Sequence, residues 1–178
     1  MKHIPNILSI SRIILSITLL RLFEHPLAFA VCYTIAGMTD VLDGFIARKF
    51  KVESPLGARL DSLGDLFFYL VLTSYLIVVH SAAIAPYWIP IGLLVAIRLG
   101  NLAWGLFKFR KATSIHTIAN KVSGLLVFAL PLMLLLNVRQ YLIPTTVVAF
   151  WAAIEETIIL TRSPKGSINL NRKSLFSK

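Results

Sequence analysis

Pro86-Tyr-Trp-Ile-Pro-Ile-Gly-Leu-Leu-Val-Ala-Ile-Arg98-Leu-Gly-Asn101-Leu-Ala-Trp104-Gly-Leu-Phe107 carries one charge, Arg98, in an otherwise apolar run. A helix needs about 20 mostly apolar residues to cross the hydrocarbon core of a bilayer. This stretch therefore reads as a transmembrane helix. Outward from it, five further stretches have the same character: 7–23, 26–47, 57–80, 122–137 and 141–161, the one at 122–137 being short. The connections near Glu24-His25-Pro26, His80–Pro86 and Asn137–Tyr141 are tight, as in antiparallel bundles. The chain has 178 residues, 57% hydrophobic and 15% charged, with mean hydropathy +0.78. An average soluble protein has roughly 25% charged residues, and a soluble chain of this length could not cover so much apolar surface. The fold class is thus an all-α integral membrane protein, a six transmembrane helix bundle over residues 1–162. Residues 163–178 are expected to form a basic, flexible cytoplasmic tail.

Charge sets the expected orientation. The formal net charge is +10, from 18 Lys and Arg against 8 Asp and Glu. Most of the basic residues, from Lys2 through Arg48, Lys108 and Lys121 to Lys178, collect on one side of the six spans; the other side has Arg21 and Arg139. Cytoplasmic loops carry the excess of Lys and Arg. Both termini and the two long loops are therefore expected in the cytoplasm. The basic residues come with no zinc-ligand spacing, recognition helix or aromatic-basic RNA motif, so no nucleic acid partner is expected. The single cysteine, Cys32, excludes an internal disulfide and a cysteine-rich metal site.

Four of the eight acidic residues fall between positions 40 and 65. Carboxylates inside a membrane are costly and mark functional sites by default; the plain alternative is ion pairing to Arg48 and Arg59 at the interface. Spacing decides between them. At about 100° per residue, Asp43 and Gly44 flank Asp40 and position 47 returns to within about 20° of it. One face of the second span thus combines two carboxylates with residues of almost no side chain. On the third span Gly57, Asp61 and Asp65 step round by about 40° each, again forming one stripe. Two acidic stripes at the cytoplasmic ends of neighbouring antiparallel helices can converge on divalent cations. Oxygen-only ligation suits Mg²⁺ or Mn²⁺ better than zinc.

The run Asp40-Val-Leu-Asp43-Gly44-Phe-Ile-Ala47-Arg48, eight residues, then Gly57-Ala-Arg-Leu-Asp61-Ser-Leu-Gly64-Asp65 resembles the signature of the CDP-alcohol phosphotransferase family of membrane enzymes. That signature is D-x2-D-G-x2-A-R-x8-G-x3-D-x3-D, and every fixed position is present in register. The opening Pro5-Asn6-Ile-Leu-Ser-Ile-Ser-Arg12 is similar to the usual start of family members, and the six-span layout agrees too. The resemblance implies a metal centre of two Mg²⁺ or Mn²⁺ ions held by Asp40, Asp43, Asp61 and Asp65, with Asp65 also the general base. It implies room for the cytidine nucleotide at Gly44, Ala47 and Gly57, with Arg48 near it. The implied reaction transfers a phosphatidyl group from CDP-diacylglycerol to a small alcohol acceptor and releases CMP, without ATP. The implied setting is the plasma (inner) membrane, with the site facing the cytoplasm, membrane lipids around it and a homodimer as the assembly.

Acceptor recognition is less sharply marked. His116, Asn120 and Gly124 fall on one helical stripe beside Lys121, and a cationic pocket there suits acceptors that carry phosphate; positive-inside charge accounts equally well for Lys121 and better for Lys108 and Lys111. Arg98, midway along its span, needs an anionic partner or a watery cavity. It either reaches an acceptor phosphate or pairs with Glu155 or Glu156. Asn6 and Arg12 either line the headgroup cavity or serve capping and snorkelling. Members of the family that use glycerol 3-phosphate often carry an Arg-Glu pair in the fourth span, whereas Leu99 follows Arg98 here; a phosphatidylglycerophosphate synthase is an alternative. A membrane prenyltransferase, with paired acidic motifs, and a cation transporter are alternatives of other classes. The prenyltransferase pattern normally spreads over two distant segments of a longer bundle, and a transporter leaves Gly44, Ala47, Arg48 and Gly57 unexplained.

Overall fold

The computed structural model describes residues 4–50, 55–110 and 117–164; for 4–6, 40–41, 43–48, 55–56, 58–59 and 61–62 it describes the backbone alone. These residues form α1 (Ile4–Leu20), α2 (Pro26–Phe50), α3 (Pro55–Val79), a single turn α4 (Ser81–Ile84), α5 (Trp88–Phe109), α6 (Ile118–Leu135) and α7 (Leu142–Arg162). Short 3₁₀ turns at Ala85–Tyr87 and Arg139–Tyr141 lead into α5 and α7. There is no strand among the described residues. The all-helical class and the six long helices match the sequence reading.

The helix ends follow local chemistry. Pro26 and Pro55 stand at the first positions of α2 and α3, where the missing N–H costs nothing. Helix α6 starts at Ile118, four residues before the expected 122, because the Thr117 hydroxyl accepts a hydrogen bond from the Asn120 N–H at 3.1 Å. At its other end Asn137 adopts a left-handed conformation, φ 59. The following N–H of Val138 then reaches the Met133 carbonyl at 2.9 Å, which satisfies an otherwise orphan acceptor.

Among the described residues, Ser81–Phe109, Ile118–Leu135 and Arg139–Arg162 are long and apolar enough to cross a membrane by length and composition. The apolar stretches of the first three helices are shorter, Ile7–Leu20, Pro26–Thr39 and Leu63–Val79. In α2 and α3 that stretch stops where the acidic positions begin. Large apolar side chains lie open, Leu27 at 80%, Ile89 at 85% and Phe107 at 81% exposure. In water such a surface would aggregate; it suits contact with lipid.

The chain divides into two compact units, residues 1–81 and 82–178. In the first, α1 packs against both α2 and α3. Its inward face runs Ser9, Arg12, Ser16 and Leu19, all buried at the 3–4 spacing of one helical stripe. Phe29, Tyr33, Phe68 and Tyr75 are buried in the same unit. Phe29 stacks on Tyr75 with ring centroids 3.7 Å apart, and Tyr33 on Phe68 at 5.1 Å. Each such pair adds about 0.5–1.5 kcal/mol beyond its area. The His80 ring is half-buried and lies 3.3 Å from the Tyr75 hydroxyl.

In the second unit α7 packs against α5 and α6. Ala149, Ala152 and Ala153 are buried on α7, and small residues of this kind let helix backbones approach closely in membranes. Polar clasps tie α5 to α7. The Asn101 amide donates to the Ala153 carbonyl at 3.1 Å and accepts from the Thr157 hydroxyl at 2.9 Å.

Candidate functional site

The acidic motif is carried by two uninterrupted helices. Asp40, Asp43, Gly44, Ala47 and Arg48 lie on the last turns of α2, which runs on to Phe50; Gly57, Asp61 and Asp65 lie on the opening turns of α3. Helical backbone through both segments preserves the two stripes read from spacing. Four residues, 51–54, separate the end of α2 from the start of α3. A fully extended link of that length spans at most about 18 Å, so the two acidic segments share one end of the unit. Buried positions on α2 run Phe29, Cys32, Tyr33, Ala36 and Thr39. Continuing that face by steps of three and four reaches positions 40, 43 and 47. The side chains of Asp40, Asp43, Gly44, Ala47, Arg48 and Asp61 lie outside the described ones, as does the whole of His116.

Asp65 and Gly57 are described. Gly57 is half-buried. The Asp65 carboxylate accepts a hydrogen bond through Oδ1 from Nη1 of Arg12 at 2.7 Å. The Arg12 side chain is 1% exposed and that of Asp65 43% exposed. Gly64 lies beside the pair: a Cβ there would be in ordinary contact, 3.4 Å from the Ser9 carbonyl oxygen and 3.5 Å from both Cδ and Nη1 of Arg12. Arg12 therefore lies across the backbone of α3. Neither capping nor snorkelling describes it, because its whole length is buried. An arginine well inside an apolar span is itself the sequence signal for such a partner; which carboxylate answers it depends on how α1 packs on α3.

In the second unit Arg98 Nη1 donates to Glu156 Oε2 at 2.6 Å. Of the two readings the spacing left open, the ion pair with α7 is the one observed. Lys121 is exposed, Asn120 is half-buried one turn inside α6, and both follow the Thr117 cap. With α6 starting at Ile118, Asn120 and Gly124 share a helical stripe and His116 precedes the cap. Lys108 has a structural role: its ammonium donates to the Leu160 and Thr161 carbonyls, both at 2.8 Å, at the end of α7 where carbonyls lack helical partners. A groove of about 550 Å³ between α5 and α7 is lined by Ile97, Gly100, Asn101, Trp104, Ile154, Thr157, Ile158 and Thr161. None of these is ionisable, and the groove suits apolar chains rather than phosphate.

The donor set of the motif fits hard divalent cations. Four carboxylates on two helices supply oxygen alone, and the one thiol, Cys32, is buried with its sulfur 3.8 Å from the Leu15 carbonyl. Such a set matches Mg²⁺ or Mn²⁺.

The model of the family described as CDP-alcohol phosphatidyltransferase matches residues 2–159. A CDP-diacylglycerol–glycerol-3-phosphate 3-phosphatidyltransferase of Aquifex aeolicus is 41% identical over 76 residues, 41% of this chain and 43% of that protein. The enzyme of the same name in Haemophilus influenzae is 35% identical over 100 residues, 53% of this chain and 52% of that protein. A CDP-diacylglycerol–inositol 3-phosphatidyltransferase of Candida albicans is 41% identical over 64 residues, 35% of this chain and 28% of that protein. The matched segments span about half or less of these curated relatives. No solved structure matches the chain.

Proposed function

Because the chain belongs to the CDP-alcohol phosphatidyltransferase family, we propose that it transfers a phosphatidyl group from CDP-diacylglycerol to a small alcohol, releasing CMP. The observation that carries this reading is the complete acidic motif on two continuous helices, with both segments at one end of a three-helix unit. Asp40, Asp43, Asp61 and Asp65 are the oxygen donors for two Mg²⁺ or Mn²⁺ ions, which when bound offset charge on the donor pyrophosphate. Gly44, Ala47 and Gly57 leave space for the cytidine nucleotide, and Arg48 lies beside it. Asp65 accepts the proton of the acceptor hydroxyl. The freed oxygen forms a bond to the phosphorus that bears diacylglycerol, the bond from that phosphorus to CMP breaks, and CMP leaves with the electron pair.

Asn120 and Lys121, with His116, belong in this reading to the acceptor side, where cationic and amide groups suit a phosphorylated or hydroxyl-rich alcohol; Arg98 is taken up by Glu156. Glycerol 3-phosphate and inositol head the acceptor panel, since they appear in the names of relatives. The remaining proposals are six membrane spans, both termini and the site in the cytoplasm at the plasma membrane, and a homodimer.

The deciding experiment supplies purified protein with CDP-diacylglycerol and each acceptor in turn, and measures CMP release. The expected result is release that needs one acceptor, stops in excess chelator and returns with Mg²⁺ or Mn²⁺. Full turnover in chelator would overturn the metal reading; no CMP release with any alcohol would overturn the reaction.

A further inference from the structure

Arg12 sits near the middle of α1 and is almost wholly buried, with its side chain 1% exposed. A buried guanidinium is costly unless it is paired and hydrogen-bonded, so something in the fold must hold it. Its Nη1 is 2.7 Å from Oδ1 of Asp65, the last carboxylate of the motif. Its surroundings enclose it: Gly64 lies against it on α3, where a Cβ would be in ordinary contact with Cδ and Nη1 at 3.5 Å. Asp65 is the opposite case, with its side chain 43% exposed. A carboxylate that open has several rotamers available in water, and a base that must meet an incoming hydroxyl needs one of them.

We infer that Arg12 is a positioning residue for the transfer reaction: it holds the Asp65 carboxylate in the orientation from which Asp65 takes the acceptor proton. This rests on the proposed role of Asp65 as the base. The guanidinium is a planar donor that directs its hydrogen bond, unlike a flexible ammonium, and α1 fixes it from outside the motif. A reacting group displaced by about 1 Å can cost roughly a hundredfold in rate. The contact leaves donor binding to α2, so the effect belongs in kcat.

The test compares Arg12→Ala, Arg12→Lys, Asp65→Asn and the double variant Arg12→Ala/Asp65→Asn in the full-length protein. The readouts are kcat, donor KM, the Mg²⁺ dependence of turnover, and the thermal midpoint in metal-free detergent. Arg12→Ala should lower kcat by about 10–100-fold while donor KM and half-saturating Mg²⁺ stay within about threefold. Arg12→Lys, which keeps the charge but not the planar directing donor, should recover only part of that loss, and Arg12→Ala should cost little further turnover once Asp65 is Asn. The inference is overturned if the two losses multiply, if donor KM rises while kcat holds, or if neither Arg12 variant yields folded protein. Undiminished turnover in Asp65→Asn alone would instead remove the base reading, and the inference with it.

Discussion

At the scale of single residues, the two arginines set in apolar helices solve one problem in two ways. Each needs an anion: Arg12 takes Asp65 and Arg98 takes Glu156. The partners differ in burial, and burial decides which deletion hurts. Glu156 is 7% exposed and Arg98 35%, and a long arginine side chain left alone can snorkel toward the interface while the short, enclosed glutamate cannot. Arg98→Met is therefore expected to cost more stability than Glu156→Gln, about 2–4 kcal/mol against about 1 kcal/mol. Thermal or denaturant unfolding of the detergent-solubilised protein measures both, and the reverse order would show that the pair is not the dominant contact. For Asp65 the expectation is chemical. Asn keeps the size and one oxygen but cannot take a proton, so Asp65→Asn should retain donor and metal binding while turnover falls at least about a hundredfold. Loss of binding together with turnover would make Asp65 a ligand first.

Elements are held at their ends as much as along their faces. Thr117 caps α6 and Lys108 caps α7. Thr117→Ala should cost about 1 kcal/mol, and Lys108→Met should free the last turn of α7, raising amide exchange around 160–163 with turnover nearly unchanged. Protection there equal to wild type would deny Lys108 its capping role. On α2 the small positions are read as space for the nucleotide. Gly44→Leu should weaken CDP-diacylglycerol binding at least about tenfold with little change in the yield of folded protein; a change of one decade corresponds to about 1.4 kcal/mol. Unaltered donor affinity would assign Gly44 to helix packing, as small residues often are in membranes.

At the scale of the whole molecule, the open apolar side chains and the three longest apolar helices predict that the protein stays in the membrane pellet after alkaline carbonate extraction, and release into the supernatant would contradict a spanning protein. Composition alone was enough for the helical membrane class, since so little charge over 178 residues leaves no soluble alternative. The register of the acidic motif was equally legible, because carboxylates three and four apart have one meaning on a helix, and α2 and α3 proved continuous through it. Local sequence also holds the caps, Thr117 standing just ahead of the apolar run. Partner choice was not legible. The sequence offers four motif carboxylates to Arg12 and two adjacent glutamates to Arg98. The choices of Asp65 and Glu156 depend on which helices meet and at what height. That is decided by backbone approach, at Gly64 against Ser9 in one unit and at Ala153 against Asn101 in the other. A residue's need for a counter-ion is written in its own chemistry; the identity of the counter-ion belongs to packing, because it requires two segments 53 and 58 positions apart to come within hydrogen-bond distance.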